Sequence, residues 1–175
     1  MKPTVKTIEF AAILVVSSAM MAYGIGKMVQ FTATVEITKK VAELSGQELM
    51  WAFYGYSKSF PIFLGILEIA SGIGLLFRRT RFLAIILLST ILVNVILQDI
   101  VYGVNKGALI AAIFYQFLLF VILFINREQV VLIFKALTKF EKSKEKHNLK
   151  SKIVQVFYIG LFFVIFKIIE YFLTH

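Results

Sequence analysis

An all-α integral membrane protein with five spanning helices is the fold class this sequence predicts, and three observations predict it. First, hydrophobic residues make up 59% of the 175 residues and charged residues only 17%, with a mean hydropathy of +0.86. An ordinary soluble domain is about 45–50% apolar and about 25% charged. A core cannot hide this excess, because even a domain of about 150 residues leaves much of its surface in water. Second, the apolar residues form continuous runs near the ~20 residues needed to cross hydrocarbon, not the alternating segments of a barrel. Third, the basic residues behind the net charge of +9 gather in short runs between the apolar stretches, as in oriented membrane proteins. They form no stripe interleaved with base-stacking aromatics, so nucleic acid is not a partner. A soluble enzyme and a disordered chain are excluded by the same composition. With no cysteine, thiol relays, zinc knuckles and iron–sulfur clusters are excluded as well.

The first span is residues 8–31. Lys2 and Lys6 before it, and Ser17-Ser18-Ala19 within it, imitate a cleaved signal, but the apolar run continues well past Ala19 and is read as a span. In the loop 32–59, Ile37, Val41 and Leu44 recur at helical spacing and Ser45-Gly46 reads as a stop, which predicts a short surface helix. Trp51, Phe53, Tyr54 and Tyr56 follow. Such rings form either a plain interfacial belt, the general expectation, or a lid over an external pocket. The second span is 60–77, the third 82–100 and the fourth 108–125. In the loop 126–152, Val130, Ile133, Phe134 and Leu137 share one face. That face suits a helix lying on an anionic leaflet, with docking of a partner as the alternative. The fifth span is 153–173. Lys2, Lys6, Arg78, Arg79, Arg81, Arg127 and the lysines between 135 and 152 fall on one side. The positive-inside rule then places the N-terminus in the cytoplasm and the C-terminus in the periplasm of a bacterial inner membrane.

Ionisable groups inside spans are expensive and face the bundle interior, so chemistry is sought there. Tyr23 and Lys27 fall in the outer half of the first span, and Lys167, Glu170 and Tyr171 in that of the fifth. Glu68 lies roughly 12 Å into the second span. Thr90, Asn94 and Gln98 form an i, i+4, i+8 stripe on the third, with Asp99 at its outer end, and Tyr115 and Gln116 share the depth of Glu68 on the fourth. Most of the strongly polar residues within spans thus fall in the outer half, and Glu9 and Gln155, at the inner boundary, are the main exceptions. The candidate cluster is therefore Tyr23, Lys27, Glu68, Asn94, Gln98 and Gln116, in the outer half. A two-carboxylate metal site of Glu68 and Asp99 is set aside because their depths differ by most of a leaflet. Glu68 shares a face with Gly65, Ser71 and Gly72, and small residues let helices approach closely. It should thus enter a tight helix contact, where it needs a cation, several donors or a proton. Lys27 is the expected cation, its long stem covering the difference in depth. The cluster binds a polar head such as a quinone or lipid headgroup, relays protons part way, or is polar glue between helices.

Other chemistry is not signalled, and no catalytic residue is assigned. His147 and His175 are the only histidines and neither falls in a span, so a haem held by two histidines is excluded. There is no HExxH and no serine elbow. Gly24-Ile25-Gly26 and Gly72-Ile73-Gly74 lie in spans and read as packing notches rather than phosphate loops. Pro3 and Pro61 are the only prolines, so no mid-span helix break is signalled.

Several segments resemble the DoxX family of small bacterial membrane proteins over about residues 7–137. These are Tyr23-Gly24-Ile25-Gly26-Lys27, the run from Gly65 through Glu68 and Gly72 to Arg78-Arg79, Val93-Asn94 through Gln98, and Asn126-Arg127-Glu128. The resemblance implies a four-helix transmembrane bundle over 1–137, with 138–175 as a basic linker and an additional fifth span. It also implies a tie to quinone or redox machinery, since named members are accessory subunits of such complexes, but it supplies no catalytic residue. Several relatives carry a histidine near the Gln98 position, and this chain does not. The expectation is a non-catalytic accessory subunit contacting membrane lipids and other membrane-protein subunits. The alternative is a binder or carrier of a quinone or lipid headgroup.

Overall fold

The computed structural model describes residues 3–31, 40–139 and 149–174. Among these, every regular element is helical: α1 (Pro3–Gln30), a single 3-10 turn (Val41–Glu43), α2 (Gly46–Tyr56), α3 (Ser59–Leu76), α4 (Arg81–Tyr102), α5 (Lys106–Ile125), α6 (Arg127–Thr138) and α7 (Leu149–Thr174). Five of them, α1, α3, α4, α5 and the Lys152–Thr174 stretch of α7, are long and apolar enough to cross a membrane. The chain is an all-α, multi-pass membrane protein by this measure. It divides into two units, Met1–Leu137 and Thr138–His175. In the second, α7 carries an i, i+3 ion pair within its apolar length, Lys167 Nζ to Glu170 Oε2 at 2.7 Å.

In the first unit the four long helices form a ring in the order α1, α3, α4, α5, with α5 closing back on α1 and α2 lying against α4. The interior is a thin apolar seam of Ile13, Val16, Met20, Leu75, Leu88, Leu119 and Ile122, while large side chains such as Phe10, Phe63, Ile86 and Phe117 face outward. Lipid is as apolar as leucine, so close packing has to hold the helices together. The α1–α3 seam shows how. A Cβ on Gly24 would stand 2.5 Å from the Gly65 carbonyl oxygen, so the two backbones touch. One end further along, Ser17 Oγ donates to the Gly72 carbonyl at 2.8 Å. Gly24 and Gly72 are therefore the notches expected, whereas Gly26 faces open space.

The end of the bundle at the α3–α4 and α5–α6 turns is tied by one carboxylate. Glu9 Oε1, buried on α1, accepts from Arg81 Nη1 at 2.9 Å and from Asn126 Nδ2 at 2.8 Å. The Arg81 Nε also donates to the Leu75 carbonyl at 3.0 Å. Three chain segments are thus tied at a single point.

The loop before the second span differs from expectation. Ile37 lies outside the described residues, and Val41 to Glu43 make only a 3-10 turn. Ser45-Gly46 begins a helix instead of stopping one. Ser45 accepts from the Glu48 amide, and the Glu48 carboxylate accepts from the Ser45 amide, a capping box that satisfies two otherwise orphaned donors.

Candidate functional site

At the other end of the bundle, α1 and α4 finish, α3 and α5 begin, and α2 lies across them. A cavity of about 180 Å³ sits there, lined by Met20, Tyr23, Lys27 and Gln30 of α1, Met50, Trp51 and Tyr54 of α2, and Glu68 of α3. From α4 come Leu92, Val95, Gln98 and Asp99, and from α5 Ala108, Ala112 and Tyr115. A cavity of about 150 Å³ accepts a benzene ring, so this one has room for a single substituted ring.

Each wall has a local cause. The Gly24–Gly65 contact sets the register of α1 against α3 and brings Lys27 Nζ and the Glu68 carboxylate together as an ion pair. Glu68 is only 3% exposed. The roof is held by the start of α2, where any Cβ on Gly46 would collide with the Tyr102 backbone at the end of α4. From there the helix turns Trp51 and Tyr54 inward. Phe31 stacks on Tyr54 at 5.0 Å between ring centres and meets Trp51 edge-on at 5.4 Å. Tyr23 and Tyr115 pack edge to face at 6.1 Å on the opposite wall. Trp51 and Tyr54 are thus cavity wall, whereas Phe53 and Tyr56 are exposed.

The polar set is unevenly satisfied. The Tyr54 hydroxyl donates to Gln98 Oε1 at 2.8 Å, and Gln98 Nε2 donates to Asn94 Oδ1 at 2.7 Å. Burial pushes the Tyr54 phenol above its ordinary value, and the Glu68 and Asp99 carboxylates add to this against an opposing pull from Gln98. The phenol therefore remains a neutral donor. Lys27 engages one oxygen of Glu68. Glu68 Oε2 and Asp99 Oδ2 are both buried with no hydrogen-bond partner among the described residues. An unpaired buried acceptor costs about 1–3 kcal/mol, and more when charged. Both residues belong to the cavity wall, so that wall holds two acceptors without a donor among the described residues.

Of the six predicted site residues, Tyr23, Lys27, Glu68 and Gln98 line the cavity. Asn94 does not. It is exposed on the outward face of α4 and reaches the site only through Gln98. Gln116 does not either. Its amide nitrogen donates to Ser89 Oγ at 3.1 Å in the α4–α5 seam, while its neighbour Tyr115 takes the cavity position. Asp99 is an addition, lining the same cavity as Glu68. The cavity follows α1 from Gln30 down to Met20, roughly 15 Å of helix, so residues at different depths share it. Trp51 and Tyr54 carried a legible signal in the Ser45-x-x-Glu48 capping box, which starts a helix just before them.

No family model matches the chain, and no solved structure matches it. It is similar to YwoB of Bacillus subtilis (strain 168), whose description is "uncharacterized protein". The two are 31% identical over 87 residues, which is 47% of this chain and 54% of that protein. The chain thus spans about half the length of the curated relative it matches.

Proposed function

We propose that this protein is a DoxX-like bacterial inner-membrane protein that binds or carries a small amphiphile in the cavity beneath α2. The observation that carries the reading is that two residues of one cavity wall, Glu68 and Asp99, each keep a buried carboxylate oxygen, Oε2 and Oδ2, without a partner among the described residues. They call for a ligand head that donates hydrogen bonds. With Lys27 the set is one positive against two negative groups, so the head is neutral with donors, or cationic. A hydroquinone, one ring with two hydroxyl donors, fits the volume, and an amine-headed amphiphile fits the charge. The DoxX resemblance favours the first. By the positive-inside rule the cavity lies in the outer half of the bilayer, with the N-terminus cytoplasmic and the C-terminus periplasmic.

A second reading, as an accessory subunit of a membrane complex, is supported by Asn94. An amide exposed on the outer face of a spanning helix is the kind of group that finds an interhelical partner. Purification in mild detergent, with mass spectrometry of all that remains bound, separates the two. The binder reading expects a lone chain carrying a donor-headed lipophile that Glu68→Gln or Asp99→Asn loses. A stoichiometric membrane-protein partner, with no retained lipophile beyond bulk lipid, would overturn it in favour of the second.

A further inference from the structure

The opposite end of the bundle holds a second recess, of about 250 Å³, between the start of α4 and the α5–α6 corner. Its rim is Arg78, Arg79 and Arg81, and its floor is apolar, with Phe82, Ile85 and Ile133 among the lining side chains. Arg81 is committed to Glu9. Arg78 and Arg79 are exposed and have no carboxylate partner among the described residues. An adjoining recess adds Lys6, Arg127 and the single carboxylate Glu128, and shares Arg78. The amino end of α4 adds the positive end of a helix dipole, and Thr80 before it makes no side-chain cap. The recess stands where four long apolar helices end, which is the depth of lipid headgroups.

We propose that this recess is a site for one anionic phospholipid, its phosphodiester held by Arg78 and Arg79 and its acyl chains lying against the apolar floor. Charge and position both select this occupant. Guanidinium groups match phosphate oxygens in a two-pronged geometry, and basic pockets between spanning helices are a known way to hold anionic headgroups. Gln129 also lines the recess and offers a neutral donor to glycerol hydroxyls. The site owes nothing to the cavity under α2, so either proposal can fail alone.

The test titrates the full chain in detergent micelles with phosphatidylglycerol, phosphatidylcholine, inorganic phosphate or glycerol phosphate, reading bound lipid by native mass spectrometry and thermal midpoint. Phosphatidylglycerol should bind one per chain and raise the midpoint, while phosphatidylcholine does not. The double variant Arg78→Gln/Arg79→Gln should bind it about 30-fold more weakly, the loss expected for two arginines near a membrane surface. Should that variant fail to fold, Arg78→Lys/Arg79→Lys keeps the charge and loses the fork, and should bind several-fold more weakly. Equal binding of both lipids, or unchanged affinity in a folded variant, would overturn the proposal. Equal protection by inorganic phosphate would overturn the lipid source and assign the arginines to a soluble phosphate.

Discussion

The two ends of the four-helix unit each bury a carboxylate against a cation, yet they are built differently. At the turn end, Glu9 meets Arg81 and Asn126, and Arg81 has a backbone acceptor as well. None of these three residues keeps a buried polar atom without a partner among the described residues. At the other end, Lys27 meets one oxygen of Glu68, while the second oxygen and one oxygen of Asp99 remain without partners beside a cavity. The first arrangement fastens three segments and is complete within the protein. The second leaves acceptors without partners among the described residues, in the wall of a cavity. The two ion pairs thus differ in the atoms they leave over.

That contrast can be broken by substitution. The largest effect is expected at the fastening. Arg81→Ala removes the cation from the buried Glu9 carboxylate and leaves it only the neutral Asn126 donor, which should cost about 3–5 kcal/mol, read as a fall in thermal midpoint in detergent; a loss below about 1 kcal/mol would put this pair among weak surface contacts. Glu68→Gln should behave differently. Asp99 remains to balance Lys27, so the ligand-free midpoint should fall by much less than in Arg81→Ala. The stabilisation given by bound ligand, about 2.7 kcal/mol at a hundredfold excess over Kd, should vanish. An equal fall in both variants would make the two ends alike and reduce Glu68 to polar glue.

Smaller effects sharpen the picture at the roof. Tyr54→Phe removes the hydroxyl that donates to Gln98 and should cost about 0.5–1.5 kcal/mol, with weaker ligand binding. The pH dependence of Tyr54 follows from its raised phenol. The folded chain holds this proton more tightly than the unfolded one, so its contribution is fully present below the ordinary value near 10. It is lost as pH rises through the higher folded value. Ultraviolet difference titration of wild type against Tyr54→Phe should show one phenol ionising late, and an alkaline loss of stability that the variant lacks.

Much of this was legible in the residues. The five spans could be read because each is one uninterrupted apolar run, and the Lys27–Glu68 pair because Gly65, Ser71 and Gly72 mark the face on which Glu68 must lie. What could not be read was rotation. Gln98 is four residues from Asn94, which on a helix of 3.6 residues per turn is a swing of about 40°. That swing carries Gln98 to the cavity and leaves Asn94 outside. Tyr115 and Gln116 are about 100° apart, and depth alone does not say which one faces the cavity and which the α4–α5 seam. The roof was obscured by Ser45-Gly46, a pair compatible with a helix end and a helix start. Glu48, three residues on, decides for the start.

The contact between Gly24 and Gly65 bears on the thickness of membrane this protein accepts. With Ser17 hydrogen-bonded to Gly72 further along, α1 and α3 cannot slide past one another. At 18 residues, α3 is about 27 Å long, slightly under the ~30 Å of an ordinary hydrocarbon core. The 28 residues of α1 reach about 42 Å, and the fixed register places nearly all of the excess at its Pro3 end. A shortfall along α3 must then be met by the bilayer, which thins locally around that face at a modest cost per ångström. Vesicles of increasing acyl-chain length should accordingly lower the stability of this protein, and shorter chains should favour it.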